Sequence, residues 1–174
     1  NRRSRGLGDV YKRQAFFAGM PRRYFVAHTP RQIARHAQVA LRIDRERACT
    51  TAYREMRGGF TELIVCARDV HGLYAKVAGT LTAATLNILG SHVYTTREGL
   101  ALEVYRLTTP DGGGDERRLV WDELDRSLEE VLSAERDVDD LLRSRRRKLT
   151  KPPSTEPATV LVANSVSDFY TVID

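Results

Sequence analysis

Between Ala67 and Leu73 the hydrophobic period of the chain switches from that of a strand to that of a helix, and this switch constrains the fold more than any other feature. Before it, residues 61–67 form a compact apolar run holding Leu63, Ile64 and Val65, which predicts a central β-strand. The run stops at Arg68, Asp69, Val70, His71 and Gly72. After it, Leu73, Val77, Leu81 and Ala84 recur at spacings of four, four and three. A helix of about 14 residues then lays one stripe on the sheet. The small side chains of Ala75, Ala78, Gly79 and Ala83 suit a close approach of helix to sheet.

Asn87 and Ile88 end that helix and open a second strand over 88–96. Arg97, Glu98 and Gly99 make a tight connection with glycine where a positive φ is wanted, and Leu100, Leu102 and Val104 then alternate with Ala101, Glu103 and Tyr105, which predicts a hairpin. Beyond the loop at 110–115, Trp121, Leu124, Leu128 and Val131 return to helical spacing. The stripe continues to Val138 and Leu142, so this helix is either long or broken near Ser133. A basic run at 143–151, ending in Pro152 and Pro153, reads as a solvated helix end and linker. Residues 159–163 read as a last strand, and 169–173 as the first strand of a following unit.

From Phe60 onward the order strand, helix, strand, strand, helix, strand predicts an α+β fold of the split βαβ, ferredoxin-like plan, βαββαβ. It implies an antiparallel sheet with two helices on one face and an opposite face that needs a partner. Upstream, Thr29, Pro30 and Gln32 form a capping box that predicts a helix running to about Arg47. Residues 24–27 read as a short strand or turn. Arg57, Gly58 and Gly59 read as a hinge. The expected organisation is therefore a non-native or disordered arm at 1–14, a helical connector at 15–58, the α+β unit with its basic linker at 59–164, and the start of a second such unit at 165–174.

Charge distribution decides how the net +5 is read. Arg2, Arg3, Arg5, Lys12 and Arg13 against Asp9 give residues 1–14 a net of +4, so nearly all the excess sits in one short arm. Asp9 to Gln14 also reads like a translated sequencing adaptor, the alternative being a basic tail. The basic run at 143–151 has no interleaved aromatics, which argues against nucleic acid as a partner. No apolar run approaches the roughly 18 residues of a membrane span. Two cysteines, Cys49 and Cys66, point to a reducing, cytoplasmic setting.

Catalytic and metal chemistry find little support. No glycine-rich phosphate loop, serine-histidine-aspartate order or paired-carboxylate motif stands out, Cys49 has no partner that would make it a nucleophile, and Cys66 reads as a core residue. His28 and His36 lack further ligands at metal spacing and read as surface or packing residues, as does His92.

Asp69, Val70, His71, Gly72 and Leu73, followed by Val77, Leu81 and the pair Asn87 and Ile88, resemble the signature of ACT domains, in which D-R-P-G-L closes the first strand and Asn-Ile opens the second. His71 stands where that family has proline, which relaxes the turn. The stretch MPRRY at 20–24 and HTPRQIARH at 28–36 resemble the segment leading into the first ACT domain of the bifunctional PII uridylyltransferase/uridylyl-removing enzymes. YTTREGLAL at 94–102 resembles their TTRDGMALD hairpin, and residues 160–173 resemble their passage between two ACT domains.

That resemblance implies a parent with nucleotidyltransferase and HD phosphohydrolase domains, using UTP and Mg²⁺. Such a parent uridylylates the PII protein when glutamine is scarce and removes UMP when it is plentiful. The present chain would then be non-catalytic, with no cofactor of its own, and would sense glutamine or a similar amino acid. The implied ligand site comprises Asp69, His71, Gly72, Leu73, Asn87 and Ile88. Backbone N–H groups at the helix start would hold the carboxylate, Asp69 would receive the ammonium, and Asn87 would reach the ligand across an interface with a second ACT domain. The structural alternative is that Asp69 caps the helix and Asn87 holds a turn. An ACT domain of another amino-acid-metabolism or stringent-response enzyme, and a basic nucleic-acid-binding protein, are the competing functional readings.

Overall fold

A computed structural model describes residues 2–108, 114–146, 162–163 and 172–173, with side chains described for 10–108 and 118–145. Three helices come first, α1 (Arg2–Gly19), α2 (Arg22–Ala27) and α3 (Pro30–Ala40). They are followed by β1 (Cys49–Met56), β2 (Phe60–Arg68), α4 (Leu73–Ala83), β3 (Asn87–Thr95), β4 (Leu100–Thr108), α5 (Gly114–Leu132) and α6 (Val138–Arg146). Two short strands, β5 (Val162–Ala163) and β6 (Val172–Ile173), close the chain.

The main sheet has four antiparallel strands in the order β1-β2-β4-β3, so the expected central strand is interior and buried from Thr61 to Ala67. The α+β class, the antiparallel sheet with α4 and α5 on one face and the preceding helical segment are as the sequence predicts. The fourth strand is not. It is β1, running from Cys49 opposite Ala67 to Met56 opposite Phe60, whereas Val162–Ala163 pairs with Val172–Ile173 in a separate two-stranded sheet. The rest of the runs at 159–163 and 169–173, and the loop at 110–113, lie outside the described residues.

Arg57, Gly58 and Gly59 accordingly form a hairpin turn rather than a hinge, with φ of 95° at Gly58 and 78° at Gly59. The helix that was expected to reach Arg47 stops at Ala40, because the next regular segment carries Thr50, Thr51 and Tyr53, side chains that favour a pleated surface. Residues 24–27 belong to helix α2. The capping box of α3 is present: Gln32 N–H donates to Thr29 Oγ1 (3.4 Å) and Thr29 N–H to Gln32 Oε1 (2.9 Å).

Each face of the sheet has its own core. On one face Leu63, Val65 and Ala67 of β2 meet Leu73, Val77 and Leu81 of α4, and Leu124 and Leu128 of α5 complete the layer. Each such buried side chain contributes roughly 1.5–3 kcal/mol. On the other face Ile64, Cys66, Leu102 and Val104 are covered by Phe16, Met20 and Tyr24 and by Ala37, Val39 and Ala40 of α3. The face expected to await a partner is thus occupied by the chain's own leading helices. Glu62, 5% exposed, fastens them: its Oε1 accepts from Arg35 on α3 and Arg54 on β1, both at 3.3 Å.

The long stripe breaks after Leu132, with Ala134 at φ 63°, and α6 folds back onto α4. Gly79 makes that contact possible. A Cβ there would lie 2.7 Å from Val138 Cγ2, so its smallness serves the packing of α6 rather than the approach to the sheet.

Candidate functional site

The loop between β2 and α4 is shaped by Gly72, which takes a left-handed conformation (φ 72°, ψ 14°) at the N-cap of α4. Nothing in the protein lies within 4 Å of a Cβ built there, so the positive φ rather than crowding demands glycine. No side chain caps α4, so Asp69 is not its cap and the helix start keeps its positive potential beyond the one N–H, of Leu73, that the loop itself engages. Asp69, Val70 and His71 are exposed. The loop is tied to the β3–β4 hairpin by the Asp69 N–H, which donates to the Gly99 carbonyl (2.8 Å), and is closed by Leu73 N–H donating to Val70 O (3.0 Å).

The six residues named from the sequence separate into two groups. Asp69, His71 and Gly72 share the loop, and Leu73 anchors it in the core at 5% exposure. Asn87 begins β3 opposite Thr108, at the other end of the sheet from Gly99, and is exposed; Ile88 beside it packs against the core. One copy of this fold therefore does not bring Asn87 to Asp69.

The sequence reading missed Glu103, which is 1% exposed on the α4 side of β4 between Val65 and Val93 in register. Tyr105 donates its hydroxyl to Glu103 Oε2 (2.6 Å), while Oε1 has no hydrogen-bond partner. Burial raises the Glu103 pKa; the Tyr105 bond opposes this and the charge of Asp69 adds to it. Tyr74, from the first turn of α4, stacks on Tyr105 with centroids 6.1 Å apart and pairs its hydroxyl with Ser91 Oγ (3.1 Å). Glu103, Tyr105 and Tyr74 thus form one linked group reaching the first turn of α4. The only sequence signal was a glutamate among the alternating residues of a strand.

The other histidines, His28, His36 and His92, lie together on the other face. His28 and His36, 8% and 0% exposed, are packed rather than superficial: His28 Nε2 lies 3.1 Å from the Tyr94 hydroxyl and His36 Nδ1 3.1 Å from that of Tyr24. Their rings meet edge to face at 4.8 Å. Burial lowers both pKa values, that of His36 to about 3, with His92 acting on His28 and His28 on His36 as lesser causes. Cys49 and Cys66 are free and buried, and burial pushes both thiols up to about 12, which makes them poor nucleophiles at neutral pH. Among the described residues no group of three or more His, Cys, Asp or Glu side chains could hold a metal ion, and no helix is long and apolar enough to cross a membrane.

No family model matches the chain, and no solved structure matches it significantly. Curated proteins do. The bifunctional uridylyltransferase/uridylyl-removing enzyme of Azospirillum brasilense is 32% identical over 161 residues, covering 87% of this chain and 17% of the relative. Those of Rhodospirillum rubrum and Gluconobacter oxydans are 30% and 29% identical over 150 residues, covering 80% of this chain and 15% of each relative. The chain therefore spans less than a fifth of the length of these relatives. By sequence the chain is similar, over most of its own length, to a stretch of the bifunctional uridylyltransferase/uridylyl-removing enzymes.

Proposed function

We propose that this chain is an ACT-type regulatory segment of a bifunctional uridylyltransferase/uridylyl-removing enzyme, and that it senses glutamine. The observation that carries the reading is the uncapped start of α4 beside exposed Asp69, in a chain similar to those enzymes over most of its length. An amino acid presents a carboxylate to the helix N-terminus and an ammonium to a carboxylate, and this loop supplies both complements.

A second module completes the site in this reading. The outer sheet face is taken by α1–α3, which leaves β3 as the sheet edge on the α4 side. If two such edges pair antiparallel, the start of one β3 lies beside the end of the other. The position of Asn87 in one module then approaches the Gly99 hairpin, and hence Asp69, in its neighbour. Glutamine would stabilise that pairing and shift the parent between UMP transfer to PII and UMP removal, which requires different affinities for two arrangements. The UTP and Mg²⁺ of the transfer reaction belong to regions of the parent outside this chain.

Calorimetric titration of the intact parent with glutamine tests the proposal, beside the variant carrying Asp69→Ala and Asn87→Ala. Loss of binding in the variant is expected. Unchanged binding removes this site from the mechanism.

A further inference from the structure

A cleft of about 440 Å³ opens where the segment following α3 meets the start of β1 and α5. Its walls are fixed from within. Asp44 Oδ1 accepts the N–H groups of Glu46 and Arg47, each at 3.0 Å, and so sets the turn. Glu129 on α5 accepts from Ala48 N–H (2.7 Å) and Cys49 N–H (3.3 Å). One helical turn earlier, Asp125 Oδ1 accepts the Thr51 hydroxyl at 2.6 Å. Arg42 donates to the Thr51 carbonyl at 2.5 Å, and among the described residues the Arg47 guanidinium has no partner.

The two signs of charge come from different elements. Arg42 and Arg47 stand on the α3–β1 connection, Asp125 and Glu129 on α5. A simple anion would meet two carboxylates, and a simple cation two guanidiniums. A molecule carrying both charges a few ångströms apart satisfies both walls. The cleft is many times the size of an ion and within the range of small-ligand sites, ~300–1,000 Å³. The neighbouring aromatics, Tyr53 and Trp121, are stacked on each other at 4.6 Å and 13°, so they offer no platform for a nucleotide base.

We infer that this cleft binds a small zwitterion of the α-amino-acid class, its carboxylate on Arg42 and Arg47 and its ammonium on Asp125. Burial raises the pKa of Asp125 against the opposing Thr51 hydrogen bond and Arg42 charge, and an ammonium beside it would offset what remains of that penalty. Such a ligand would join the α3–β1 connection to α5 and so bridge the leading helices and the α+β unit. The site is independent of the loop at 69–72 and does not rest on the function proposed for it.

The test is amide chemical-shift mapping of the full 174-residue chain with each of the twenty common amino acids, and with acetate and ethylammonium as single-charge controls. Saturable shifts at Ala48, Thr51 and Asp125 are expected with at least one amino acid and with neither control. Arg47→Ala, which breaks no contact among the described residues, and Asp125→Asn, which keeps an acceptor for Thr51, should each weaken that response by about tenfold or more, the size of one charge-assisted contact. Shifts confined to residues 69–73, equal responses to acetate, or an Arg47→Ala protein that binds unchanged would each overturn the inference. The first of these would leave the loop proposal standing, whereas shifts at the cleft alone would uphold this site and count against the loop.

Discussion

The amide of Asp69 donates a 2.8 Å hydrogen bond to the carbonyl of Gly99, which joins the loop ahead of α4 to the β3–β4 hairpin while the Asp69 side chain stays in solvent. The backbone of this loop carries structure, and the carboxylate carries none of it. Asp69→Asn is therefore expected to leave stability within about 0.5 kcal/mol of the wild type, as for an exposed substitution. Gly72→Ala at φ 72° should cost about 1 kcal/mol although its Cβ meets nothing. Urea denaturation of both variants separates the roles, and equal destabilisation would contradict them.

Packing at Gly79 makes a sharper case. A methyl group there meets Val138 Cγ2 at 2.7 Å, so Gly79→Ala must push α6 off α4 and should cost about 1–3 kcal/mol despite a gain in helix propensity. Adding Val138→Ala should recover part of that loss. A double-mutant cycle showing simple additivity would mean that α6 is not seated on α4 through this pair.

His36 predicts a loss of stability in acid. Its pKa falls from an ordinary 6.5 to about 3 in the folded chain, so the unfolded chain takes up a proton first as pH drops. The contribution of His36 is fully present above pH 6.5 and is lost progressively between 6.5 and about 3. Since its ring sits between α3 and Tyr24, the leading helices should loosen first. His36→Asn should be less stable at pH 7 but flatter over that window by urea denaturation. An equally steep profile in the variant would locate the titration elsewhere.

Glu103 works in the opposite sense. Burial holds its folded pKa above the ordinary 4.5, so its contribution is greatest below 4.5 and declines as pH rises through the folded value. Glu103→Gln preserves an acceptor for the Tyr105 hydroxyl without the charge. It should reduce the dependence of stability on pH above 4.5 and stabilise the chain at neutral pH. A variant less stable than wild type at pH 8 would show that the buried charge is compensated.

The sheet face beneath α4, the α4 stripe, the β3–β4 hairpin and the Asp69-to-Leu73 loop were legible in the sequence because each is specified by neighbours a few positions apart: alternation, helical spacing, glycine at a positive φ. The capping box of α3 was legible for the same reason. What covers the second sheet face, which strand forms the β1 edge, and the company of Glu103, His36 and Asp125 were not, because they depend on contacts between residues tens of positions apart. Local periodicity states that Ile64 and Cys66 need burial, and the tertiary structure alone chose Phe16, Tyr24 and Ala37 to provide it. Thr50, Thr51 and Tyr53 carry strand propensity without an apolar run, so only pairing with the already committed β2 made them a strand.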